Sequence, residues 1–231
     1  MYFGDAATVF TAPLHFGEKE WIETGAILGG TALLFAADEH VRTIAQRNQG
    51  TFGDNFFQIG TRYGTPWYGA GLSGVLYAGG LATSNRKLET AGIALFESLT
   101  FAGAVTTVLK TVAGRSRPYT NDGAFKYNLF QTKDEHLSFP SGHATVAFAV
   151  SSVLAEELHN TYASIGLYSL GAITMASRIY YDEHWISDTF LGAAIGTTIG
   201  ITVAHLHDGE SGESKVSVAP TTSGVAVVWR F

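Results

Sequence analysis

Six apolar stretches dominate the chain, each long enough for a helix and too long for an ordinary strand. They cover about residues 21–37, 56–82, 88–112, 142–158, 162–179 and 186–206. Short polar connections between apolar segments of this length lead to antiparallel neighbours, so an all-α, six-helix antiparallel bundle is expected. Charged residues make up 15% of the 231 positions. Mean hydropathy is +0.14, high for a water-soluble domain and modest for a protein with several membrane spans. The interior charges Glu97, Glu156 and Glu157 interrupt two of the stretches. Glycine is abundant, with 27 residues. Gly192, Gly196 and Gly200 recur every fourth position, which suits close helix–helix approach in a membrane and equally in a tightly packed soluble bundle.

Residues 1–17, with breakers at Pro13 and Gly17, are expected to form an extended N-terminal arm. Residues 18–207 form the helical domain, and residues 208–231 a linker with a β-prone tail. In that tail Gly209 to Ser214 is polar, and the runs at 216–218 and 225–231 flank Pro220 to Gly224 in the pattern of a short β-hairpin. Met1 to Thr11 has neither a basic start nor an apolar core, so no signal peptide is expected there; a chain trimmed at its start reads the same. The formal net charge of −6 gives no reason to expect a nucleic-acid partner. With no cysteine there is neither a disulfide framework nor a thiolate metal site. Oligomeric state is not legible.

The polar residues fall at particular ends of the helices. Antiparallel alternation brings the end of the third helix (Lys110 to Pro118), the start of the fourth (Pro140 to His143), the end of the fifth (Ser177, Arg178) and the start of the sixth (His184 to Asp188) to one side of the bundle. A basic pocket is therefore expected in an acidic protein. Lys110 and Arg117 are seven apart, near two helical turns, so they can share a face of one helix. Ser141 and Gly142 stand at a helix start, where free amides and the dipole favour an anion. His143, one residue on, is placed to protonate a leaving oxygen. His184 and Asp188 are four apart, which lets the carboxylate orient the imidazole, while Arg178 offers a planar fork to phosphate oxygens. The bland reading of this last segment is a helix cap with an exposed ion pair. Arg115 is read as structural.

Three motifs carry a resemblance: Lys110 to Arg117-Pro118 as K-x6-RP, Pro140-Ser141-Gly142-His143 as PSGH, and Ser177-Arg178 to His184 and Asp188 as SR-x5-H-x3-D. All are complete and in order, within about a third of the chain. The sequence resembles the type 2 phosphatidic acid phosphatase superfamily, which also contains class A bacterial acid phosphatases and vanadium haloperoxidases. The resemblance implies that His184 is the nucleophile and forms a phosphohistidine, that Asp188 orients it and that His143 is the general acid. It implies that Lys110, Arg117, Ser141, Gly142 and Arg178 hold the phosphate oxygens. It implies no metal and no cofactor.

The leading reading is a membrane enzyme that hydrolyses a lipid phosphomonoester or pyrophosphate, with its site facing the periplasm or exterior of a bacterial-type cell membrane. A water-soluble periplasmic acid phosphatase, acting on small phosphomonoesters, and a vanadate-dependent haloperoxidase are the alternatives in the same superfamily. A membrane protein with a dead site is the non-enzymatic one. The loop from Pro118 to Ser138 is expected to shape access to the site, and Tyr119, Phe125, Tyr127 and Phe130 can either contact a lipid chain or pack the loop onto the bundle.

Overall fold

In the computed structural model, residues 2–208, 216–221 and 224–229 are described. The bundle consists of α1 (Tyr2–Thr11), α2 (Glu18–Phe35), α3 (Asp38–Arg47), α4 (Thr51–Tyr63), α5 (Pro66–Thr83), α6 (Arg86–Ala113), α7 (Gly142–Leu158), α8 (Thr161–Tyr180) and α9 (Ile186–Asp208). The expected apolar helices appear as α2, α4 with α5, α6, α7, α8 and α9. The second stretch is broken in two because Pro66 cannot continue the helix that ends at Tyr63. The polar end of the first stretch forms a helix of its own, α3.

The N-terminal arm requires correction. Tyr2–Thr11 is helical and not extended, because Ala6 and Val9 pack on the core and Phe10 meets Phe101 edge-on at 5.8 Å. These positions lie three and four apart, a single helical stripe. The polar linker expected at 209–214 lies outside the described residues. Beyond it, β1 (Val216–Thr221) and β2 (Gly224–Trp229) pair antiparallel, with Val216 opposite Trp229.

α7 is the central helix, lying between α6, α8 and α9. Its contact with α9 depends on the glycine series. A Cβ on Gly192 would meet the Ser141 carbonyl oxygen at 2.4 Å, and one on Gly196 would meet that of Thr145 at 2.3 Å. These approaches bring the first turns of both helices together. Two of the acidic residues that interrupt the apolar stretches also find partners on α9. Glu97 is buried and lies 2.9 Å from His207 Nε2, and Glu156 lies 3.2 Å from His205 Nε2.

The outer helices are built inside out. α5 buries Gly69, Ser73 and Gly80, and exposes Trp67 (84%), Val75 (70%) and Leu81 (55%). α2 buries only Thr31 and exposes Trp21, Ile22, Leu28 and Leu33. Small or hydroxylated residues inside with large apolar ones outside is the pattern of a helix whose outer face meets lipid. α6, and α9 from Ile186 to His207, are long and apolar enough to cross a membrane.

Candidate active site

The three motif segments meet at one end of the bundle. α6 ends at Ala113 because Gly114 turns left-handed at φ +59°, and a Cβ there would collide with the Asn128 carbonyl. Lys110 therefore stands on the last helical turn, while Arg117 lies beyond the helix in extended backbone (φ −72°, ψ 153°). Their expected meeting on one helix face is thus corrected: the loop, not a shared helix, turns Arg117 back toward the site. Ser141 is the N-cap of α7, its Oγ accepting from the Ala144 amide, and its own N–H donates to the Asp188 carbonyl at 2.9 Å. That bond ties the second motif directly to the third. Gly142 follows, and a Cβ there would lie 3.6 Å from Lys110 Cε, so the lysine crosses the first turn of α7.

His184 is 3% exposed and occupies the turn before α9. Burial pushes its imidazole well below the usual histidine range, and the positive charges of Lys110, Arg117 and Arg178 push the same way. His143 lies within reach of the same three cations. Arg178, 6% exposed on the last turn of α8, reaches Thr61 Oγ1 with Nη1 at 3.5 Å, and its buried Nε has no hydrogen-bond partner among the described residues. Lys110, Arg117, His143, Arg178 and His184 therefore lie within electrostatic reach of one another at one end of the bundle. Ser141 and Gly142 stand beside Lys110 at the start of α7. Ser177 sits behind Arg178, its Oγ 2.8 Å from Thr61 Oγ1.

Asp188 is completely buried and does more than the spacing suggested. Its Oδ2 accepts from the Trp185 amide at 2.9 Å, which is the reciprocal half of a capping box at the start of α9. The same oxygen accepts from Ser138 Oγ. His184 Nδ1 stands 3.6 Å from Oδ2, beyond hydrogen-bond range, but 3.4 Å from Ser138 Oγ. The link from carboxylate to imidazole therefore runs through a serine. Asp188 thus caps α9, buried where an exposed cap was expected, and the direct carboxylate–imidazole hydrogen bond expected from the i, i+4 spacing gives way to contact through Ser138.

Arg115 holds the other oxygen of Asp188. Its Nη1 donates to Asp188 Oδ1 and its Nη2 to Asp38 Oδ2, both at 2.6 Å, with every group fully buried. Asp38 also accepts from the amide (3.0 Å) and hydroxyl (2.7 Å) of Ser187. Phe35 lies under the guanidinium, which sits 4.5 Å from the ring centroid. The buried bridge agrees with the structural reading of Arg115, though its tie to Asp188 was not foreseen. Ser138 and Asp38 were missed as well, since neither lies in a motif. The nearest signal is that Ser138 shares the loop end with Pro140. Of the loop aromatics, Phe125 touches Phe35 (6.2 Å between centroids) yet stays 71% exposed, while Phe130 is 73% exposed.

Comparison with known proteins agrees with this architecture. A lipid A 1-phosphatase of Porphyromonas gingivalis is 28% identical over 182 residues, which is 75% of this chain and 36% of that protein. One from Rhizobium etli is 29% identical over 118 residues, 49% of each chain. The chain thus spans about a third to a half of the length of these curated relatives. The crystal structure of Aquifex aeolicus LpxE superposes with a TM-score of 0.56 at 21% identity, covering 73% of this chain and 94% of the other. The transmembrane PAP2-type phosphatidylglycerolphosphate phosphatase of Bacillus subtilis superposes at 0.59, again at 21% identity, covering 80% and 94%. The PAP2 superfamily model matches residues 91–211, a span that holds all three motifs, and the chain belongs to that superfamily.

Proposed function

We propose that the protein is a membrane-embedded phosphatase of phosphorylated lipids that works through a phosphohistidine and needs no metal. The observation that carries this reading is the meeting of His184, His143 and three cations at one bundle end. With His184 Nδ1 facing Ser138 and Asp188, a proton on Nδ1 donates toward the serine and leaves Nε2 as the lone-pair nitrogen. Nε2 attacks phosphorus, the bond from phosphorus to the leaving oxygen breaks, and His143 delivers a proton to that oxygen. Water then attacks the phosphohistidine, His143 takes the water proton, and phosphate leaves with His184 restored. Lys110, Arg117, Arg178 and the first-turn amides of α7 meet the charge on the equatorial oxygens. A phosphate bound among these groups adds negative charge beside His143 and favours its protonated form.

A lipid substrate and a membrane location are supported by the inside-out outer helices, by the two helices long enough to span, and by relatives named as lipid A 1-phosphatases. The site is placed on the periplasmic or outer face in this proposal, where phosphorylated lipids of the outer leaflet are within reach. Membrane fractions should release phosphate from lipid phosphates in preference to water-soluble monoesters, with EDTA present. His184→Ala should lose about 10⁴-fold or more of that turnover, and acid-labile, base-stable phosphate should be trapped on the wild type and not on the variant. Equal turnover by His184→Ala defeats the proposal, and preference for soluble monoesters in the detergent-free soluble fraction replaces the lipid reading by the periplasmic one.

A further inference from the structure

Glu183 precedes His184, and the mechanism above gives it no role. Its backbone is pinned. The Glu183 amide donates to the Arg178 carbonyl at 3.0 Å, and Arg42 grips the neighbouring Asp182 through Nε and Nη2, both at 2.7 Å. Its side chain reaches into the site. Oε2 of Glu183 accepts from Arg117 Nη1 and lies 3.6 Å from Arg178 Nη2. One carboxylate oxygen thus stands between the two guanidiniums that the proposed reaction assigns to phosphate. The remaining donors of Arg117, Nε and Nη2, are held by the carbonyl (2.9 Å) and carboxylate (2.7 Å) of Asp134 on the outer side. Arg178 is less satisfied: among the described residues its buried Nε has no hydrogen-bond partner, and Nη1 has a long 3.5 Å contact to Thr61. The pair therefore presents donors to an anion, and an internal anion occupies part of that space.

We infer that Glu183 is a specificity-determining residue that competes with substrate phosphate for Arg117 and Arg178. This inference rests on the phosphatase reading of the same site. A phosphoryl dianion carries two charges and three oxygens, whereas the carboxylate carries one charge. Arg–oxyanion bonds are charge-assisted, so a terminal phosphomonoester displaces the carboxylate more readily than a singly charged diester or a sulfonate does. The side chain of Glu183 is 32% exposed, which gives the displaced carboxylate a path to water without burying a charge. On product departure the carboxylate returns to the guanidiniums and opposes rebinding of inorganic phosphate. Tight substrate binding is given up in exchange for selectivity toward dianions and for product release.

The test uses full-length protein in detergent, with orthovanadate and inorganic phosphate as probes. Binding is measured by calorimetry, and turnover on a lipid phosphate is measured separately. Glu183→Gln keeps the shape and a weak acceptor but removes the charge. It should tighten phosphate and vanadate about tenfold, lower KM more than kcat, and narrow the preference for monoester over diester phosphate. Glu183→Ala should tighten them similarly, which guards against an effect peculiar to the amide. Asp134→Asn, on a residue whose side chain is 76% exposed outside the pair, should change affinity less than about threefold. Unchanged or weaker oxyanion binding in both Glu183 variants overturns the inference, because a residue that merely positions the arginines loses affinity when removed. Tightened binding without turnover on any phosphate ester leaves the inference standing and overturns the phosphatase reading. Turnover by the wild type without tightening in the variants does the reverse.

Discussion

Arg115 and Arg117 are two residues apart and end in opposite surroundings. Arg115 is completely buried and bridges Asp38 and Asp188, while Arg117 keeps 11% exposure and faces Glu183 and Asp134. The partners, not the local backbone, explain the split. Past Gly114 the Ser116 amide donates to the Lys126 carbonyl and the Arg117 amide to that of Glu135. Residues two apart in a regular strand share a side, so strand geometry alone would point both arginines the same way. The segment is too short and irregular for that, since a 3-10 turn opens at Pro118 directly after Arg117. Asp38 and Asp188 hold Arg115 inside the bundle end, whereas Glu183 and Asp134 hold Arg117 on the side where phosphate is proposed to bind. Identical side chains acquire different work from the segments that meet them.

The comparison predicts unequal costs. Arg115→Ala leaves two buried carboxylates without their counter-charge and should destabilise the fold by about 3–5 kcal/mol, enough to prevent accumulation or to lower the melting temperature sharply in detergent. A folded, stable Arg115→Ala protein would collapse the distinction. Arg117→Ala should cost less than about 1 kcal/mol of stability, since its partners are partly exposed, but should lower kcat/KM by roughly 10²–10³. Thermal melts and steady-state kinetics on the same preparations separate the two.

A smaller effect comes from pH. The imidazole of His184 titrates well below its unfolded value, so between those two values the unfolded chain binds more protons than the folded one. Stability due to this residue is therefore present above about pH 6.5 and is lost as pH falls below it, at up to about 1.4 kcal/mol per pH unit. Melting temperature followed from pH 7.5 to 5 should show that slope in the wild type and a shallower one in His184→Asn. Inorganic phosphate should offset it, because an oxyanion among Lys110, Arg117 and Arg178 counters the charges that oppose protonation. An equal slope in both proteins rules out His184 as its source.

Much of the bundle was legible because helix length and apolar runs are local. The bounds of α7 fall where Ser141 and Gly142 predicted a start, and α6, α8 and α9 lie within two residues of the expected spans. The N-terminal helix was not legible, since Pro13 and Gly17 marked the segment as broken and its packing onto Phe101 is a long-range contact. The break at Pro66 was visible as a residue and was passed over within a long uncharged run. In the site, the motif residues could be gathered by helix parity alone. The serine between His184 and Asp188 could not, because Ser138 is 46 positions from His184 and belongs to no pattern.

By itself the amino-acid order determined most of the apolar helices, the end of the bundle at which the cations and imidazoles gather, and the superfamily. Periodicity, helix alternation and motif spacing are all one-dimensional properties. Tertiary structure alone decided which arginine pairs with Asp188 and which with Glu183, that Ser138 stands between Asp188 and His184, and that Glu183 lies between Arg117 and Arg178. Those outcomes depend on side-chain direction and on contacts between distant segments, set by the left-handed turn at Gly114 and the close packing of α7 on the glycines of α9.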